Sequence, residues 1–130
     1  ANEDFNSIMQ GALGNKGRIH ISAGKILGDE IFEEIKESGT SVNEQLKTIA
    51  TKIDEAIYRN YKLWPSNYIA CDLLKNAETY SDKYTEKEKR QFERRISRRI
   101  DVKNALELNS YLLMYANPVI NKEALYEEKG

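Results

Sequence analysis

The alternation Arg18-Ile19-His20-Ile21-Ser22-Ala23 constrains this chain most, because it has the two-residue period of a strand in a sequence that otherwise reads as helix. A strand leaves its N–H and C=O groups without partners unless a second strand lies beside it, and unpaired buried groups are costly. The neighbourhood offers little. Gly14-Asn15-Lys16-Gly17 is a turn signal, and Lys25 to Leu27 adds only three extended residues beyond Gly24, a marginal hairpin in water. We therefore expect the strand to complete a sheet whose other strands lie outside this chain. In the isolated chain the segment is expected to be disordered, to lie against helices, or to add to a second molecule.

The rest is helical by pattern. Asp4 to Leu13 spaces Phe5, Ile8, Met9 and Leu13 along one face, and Asp29 to Ser38 forms a short acidic helix closed by Gly39. Ser41-Val-Asn-Glu44 is a capping box that opens the longest periodic segment, with Val42, Leu46, Ile49, Ile53, Ile57 and Tyr61 in a single apolar stripe. Pro65 ends it, and Ser66 is placed to cap a helix with Ile69, Leu73, Leu74 and Ala77 inward. Thr85-Glu-Lys-Glu88 is a second capping box, ahead of Phe92, Ile96 and Ile100. Leu106 to Ala116 predicts a last helix that Asn117-Pro118 interrupts. The fold class is mainly α: a helical bundle preceded by a helix–turn–strand unit. The division is residues 1–28, then a helical domain over 29–130.

At 130 residues this is one core's worth of chain. The formal net charge of -1 hides an asymmetry. Residues 83–103 hold nine Lys/Arg against four Asp/Glu, so the remainder is acidic and repels nucleic acid, which is not an expected partner. Cys71 stands alone and permits no internal disulfide. The start Ala-Asn-Glu, together with the unpartnered strand, leads us to expect a piece of a longer protein.

The stretch "EDFNSIMQGALGNKGRIHISAGKIL", Glu3 to Leu27, resembles the end of the catalytic domain in the 1-acyl-sn-glycerol-3-phosphate acyltransferase family of glycerolphospholipid acyltransferases, in its bacterial branch. There a Glu-Asp-(Phe/Leu)-Asn-Ser-Ile segment precedes a turn and a Gly-Arg-(Ile/Val)-His strand. Here the following step is Gly24-Lys25-Ile26-Leu27, without the proline common at that point. "LWPSNYIACDLL" and "LLMYANPVINK" are similar to the C-terminal extension of those members.

The resemblance implies a parent enzyme that moves an acyl group from an acyl-CoA or acyl-carrier-protein thioester to a lysophospholipid hydroxyl. It also implies that the strand belongs to an N-terminal catalytic domain, which becomes this chain's first partner. The family's catalytic signature is His-x4-Asp, whereas His20 is followed five positions on by Lys25. The Gly-x-x-Phe-x-x-Arg and Glu-Gly-Thr blocks are missing as well. No catalytic residue carries over, no cofactor is expected in this chain, and the chain alone should be inactive. The implied location is cytoplasmic or peripheral on the inner face of the cell membrane.

Arg94, Arg95, Arg98 and Arg99 are the candidate site residues. On a helix whose Ile96 faces inward they flank and face away, forming either a basic surface for anionic lipid headgroups or a solvated face paired with Glu86, Glu88, Glu93 and Asp101. The interspersed acids favour the solvated reading. His20 lacks the converging donors of a metal site and reads as structural or surface. Gly11, Gly14 and Gly17 around Lys16 precede a strand rather than a helix and read as a plain turn, not a phosphate loop. Tyr58, Tyr61, Trp64 and Tyr68 suit a helix seam better than a membrane interface. Cys71 has no base or cation beside it and reads as inert.

Overall fold

The side chain of Asn67 ties together the two helices that carry the core. Its amide donates to the Tyr115 carbonyl at 2.8 Å, and its oxygen accepts the Trp64 N–H at 2.7 Å. The computed structural model describes residues 2–14, 17–37 and 39–127, and places six helices in them. These are α1 (Asn2–Leu13), α2 (Asp29–Glu37), α3 (Val42–Asn60), α4 (Pro65–Lys75), α5 (Glu86–Ser97) and α6 (Ala105–Glu127), with a 3-10 turn at Ser81–Lys83. The molecule is mainly helical, as its periodicity predicts. Both capping boxes form: Ser41 N–H donates to Glu44 at 2.9 Å, and Thr85 N–H to Glu88 at 2.9 Å.

The core lies between α4 and α6. Ile69, Ala70 and Cys71 meet Leu112, Ala116 and Val119, and Phe92 and Ile96 of α5 close over them. Ala70, Cys71 and Ala116 have no exposed surface, which lets the two helices approach closely. Each large buried aliphatic here contributes about 1.5–3 kcal/mol.

Four expectations need correction. First, no strand is present among the described residues, and 17–28 has no regular structure. Without a second strand there is no ladder to hold it, and it runs beside the end of α3. At Gly24 the approach is so close that a Cβ would stand 3.0 Å from the Asn60 amide nitrogen.

Second, α4 starts at Pro65 rather than behind a Ser66 cap. Proline suits the first helical position, and Asn67 supplies the cap that Ser66 was expected to give. The left-handed Asn76 (φ 48) ends α4 before Ala77.

Third, α6 runs straight through Pro118. Interior proline costs about 3 kcal/mol. Burial of Leu112, Ala116 and Val119 on both sides of it outweighs that, and the Tyr115 carbonyl near the break takes its bond from Asn67.

Fourth, the apolar stripe of α3 is not buried. Val42 is 70%, Leu46 59% and Ile57 52% exposed, since α3 touches α6 and α2 only along part of its length. Among the described residues α1 contacts no other helix, and its Phe5, Ile8 and Leu13 stand in solvent.

Candidate functional site

Helix α5 sorts its charges by end. Glu86 and Glu88 sit in its first turn and Arg94 and Arg95 in its last, each favoured by the helix dipole at that end. Phe92 and Ile96 bury the opposite face. Arg98 caps the helix and Arg99 follows in the turn, where its N–H bonds the Ile96 carbonyl at 2.8 Å.

The result is a shallow concavity of about 420 Å³ lined by Gln91, Arg94, Arg95, Arg98 and Arg99. All four arginines are exposed, as their spacing predicts.

The expected pairing with acids does not occur. None of the four guanidinium groups takes part in an ion pair or hydrogen bond with a described side chain. Two of the nearby acids are turned to the backbone instead. Glu88 holds the Thr85 N–H and hydroxyl, and Asp101 accepts the Lys103 N–H at 3.0 Å. The dipole accounts for basic residues at this helix end, but not for four that share one hollow without a counter-charge.

Two further residues belong to this region and were not singled out by the sequence. Gln91 adds an amide to the concavity. The Tyr111 hydroxyl, on α6, is buried without a hydrogen-bond partner. Burial, then the hydroxyl of Tyr115, whose ring centroid is 5.4 Å away, raise the Tyr111 pKa, while Arg99 and Arg95 pull against them; the two hydroxyls are neighbours that form no well-aligned bond. Tyr111 stands four residues before Tyr115 at helical spacing, which announces a shared face. Only the packing of Tyr115 edge-on against Phe92, at 5.2 Å, reveals that the face meets α5.

The other candidates resolve separately. His20 is exposed and lines a groove of about 510 Å³ between residues 20–27 and the α3 stripe residues Ile53, Ile57 and Tyr61. Along this segment His20, Ser22 and Gly24 face the groove, while Ile19 and Ile21 stand 70% and 88% exposed. Lys16 lies outside the described residues, and Gly14 closes α1 through its N–H to Gln10.

Of the aromatic group, Tyr58 accepts a 2.7 Å bond from Asn121 of α6, and Tyr68 packs on Tyr80, so both sit in seams. Trp64 is flanked by Arg18 and Lys62 at 4.9 and 4.5 Å from its ring. Tyr61 is 42% exposed and fills no seam. Cys71 is buried, contacts the Ala116 carbonyl at 3.6 Å, and has its thiol pushed up to about 11 by burial, which keeps it protonated and unreactive at neutral pH.

Among the described residues no group of His, Cys, Asp or Glu is placed to hold a metal ion, and no helix is long and apolar enough to cross a membrane. Comparison with protein-family models, curated proteins and solved structures finds no match to this chain.

Proposed function

We propose that this chain is a non-catalytic helical part of an enzyme that acylates a lysophospholipid from an acyl thioester. In this reading α1, residues 18–27 and the α3 stripe dock on the catalytic domain, and Arg94, Arg95, Arg98 and Arg99 face an anionic membrane surface. The observation that carries it is the uncovered α3 stripe, continuous with a groove whose other wall is the unpartnered 20–27 segment. Apolar surface of this extent on a folded chain is the mark of a face that another body covers. The resemblance of Glu3 to Leu27 to an acyltransferase strand supports reading that body as a catalytic domain. Each unpaired arginine adds about 1 kcal/mol of attraction near an anionic leaflet.

Sequencing the gene upstream of Asn2, and assaying the encoded longer protein for acyl transfer from acyl-CoA to a lysophospholipid, tests the reading. A His-x4-Asp block upstream and activity in the longer protein, with none in the 130 residues alone, is the expected result. A stop codon or unrelated coding sequence overturns it.

A second reading is a self-contained interaction module with no enzymatic link. It is favoured by the core itself, which α4, α5, α6 and Tyr80 complete without α1, α2 or α3. In that case the α3 stripe receives another protein, and the upstream sequence carries no acyltransferase blocks.

A further inference from the structure

The hollow at the end of α5 has a chemistry more specific than positive charge. Four guanidinium groups and one amide line it, no carboxylate partner fills it, and no lysine shares it. A guanidinium presents two parallel N–H donors to two oxygens of one anion, whereas an ammonium acts as a point charge. Behind the arginines, outside the lining itself, the buried Tyr111 hydroxyl makes no well-formed hydrogen bond and has the Tyr115 side chain as its polar neighbour, so an acceptor reaching it from the hollow would be favoured.

We infer that the concavity formed by Gln91, Arg94, Arg95, Arg98 and Arg99 binds a phosphomonoester group and discriminates it from a phosphodiester. This rests on the reading above that these arginines face anionic headgroups, and adds which headgroup they select. A phosphomonoester has a second pKa near 6, so at neutral pH it carries close to two charges on three free oxygens. A diester carries one charge on two. Two arginine forks that share one oxygen engage all three free oxygens of a monoester, whose remaining lone pairs can still accept from the Gln91 amide, whereas a diester has only two such oxygens. The same group occurs on a lipid, as in phosphatidate, and on soluble phosphates.

The experiment uses the whole chain with phosphatidylcholine vesicles containing either phosphatidate or phosphatidylglycerol, adjusted to equal surface potential. Inorganic phosphate and glycerol phosphate are tested separately for their effect on the melting temperature. The expected result is roughly tenfold tighter binding to the phosphatidate vesicles, a preference that charge alone does not create.

Arg95→Gln with Arg99→Gln removes the preference, and Lys87→Gln with Lys89→Gln, an equal charge loss elsewhere on α5, keeps it. Tyr111→Phe lowers the preference without lowering the melting temperature, because the hydroxyl it deletes makes no well-formed hydrogen bond in the fold. A Tyr111→Phe chain that loses stability assigns that hydroxyl a packing role and removes it from the site.

Equal binding to both vesicles overturns the selectivity while the membrane-facing reading stands. No vesicle binding, together with an arginine-dependent rise in melting temperature with inorganic phosphate, keeps the phosphate site, makes its source soluble, and removes the membrane. Failure of both removes the site altogether.

Discussion

The phenol of Tyr84 donates a 2.8 Å hydrogen bond to the carboxylate of Asp72, a side chain only 2% exposed. The same carboxylate accepts the Tyr80 N–H at 3.0 Å, so one acidic side chain on α4 anchors the whole connection from α4 to α5. A charged residue survives at that depth only when its oxygens are occupied.

Replacing Asp72 separates the bonds from the packing. Asp72→Ala strands the Tyr80 N–H and the Tyr84 hydroxyl together, and should cost about 3 kcal/mol in urea unfolding. Asp72→Asn keeps one acceptor oxygen and should cost roughly half as much. Tyr84→Phe, which removes one donor from a carboxylate that retains another, should lie near 1 kcal/mol. Equal losses for the first two variants would mean that packing, not hydrogen bonding, holds the connection.

Alkaline pH should loosen the same region in two steps. Burial, then the bond to Asp72, raises Tyr84 to about 12 from an ordinary 10.0, and burial raises Cys71 to about 11 from 9.0. Both groups are held protonated by the folded state, so their contribution is complete below the unfolded-state values and is lost as pH rises through the folded ones. The melting temperature should therefore begin to fall near pH 9 through the thiol, and fall faster between 10 and 12 through the phenol. Cys71→Ala should remove the first step, and Tyr84→Phe should reduce the second, to which Tyr80, raised by burial and its bond to Glu123, also contributes. A flat profile to pH 11 would show that neither group resists ionisation.

Helix α5 depends on its cap because its exposed face brings no packing. Thr85→Ala removes the acceptor for the Glu88 N–H and should cost about 1 kcal/mol. Glu88 is held below the usual carboxylate range by the backbone N–H of Thr85 and then its hydroxyl. Its contribution is present above the ordinary 4.5 and is lost as pH falls through the lowered folded value. Thr85→Ala loses the hydroxyl but keeps the backbone N–H, so it should flatten Glu88's part of the acid limb only partly, whereas Glu88→Gln should remove that part. An unchanged limb would mean that the box is formed equally in the unfolded chain.

What was legible in the sequence is what is decided locally. Both capping boxes, the left-handed Gly39 and the inward Phe92 and Ile96 follow from residues within one or two turns of each other. Pro118 misled because its cost is local while the burial that offsets it comes from α4, over forty residues earlier. The four arginines could be placed on one face by spacing alone. That Glu88 and Asp101 turn to the backbone instead of to them is a matter of competing hydrogen bonds, which spacing does not rank. Tyr111 entered the region only through the packing of α6 against Phe92.

The α3 stripe gives the last prediction, because it separates surface from core by sign. Ile57 is 52% exposed on the wall of an open groove, so a charge placed there can stay in water in the isolated chain. Ile57→Glu should move the unfolding free energy by less than about 0.5 kcal/mol, whereas Ile69→Ala in the α4–α6 core should cost about 2–5 kcal/mol. If this chain belongs to the longer enzyme proposed above, the order should reverse there in its functional effect. Ile57→Glu places an unpaired charge in the covered face and should release the helical part from the catalytic domain, seen as new protease cleavage between them. If Ile57→Glu instead unfolds the isolated chain, the stripe is part of this chain's own core in solution, and no second body is needed to cover it.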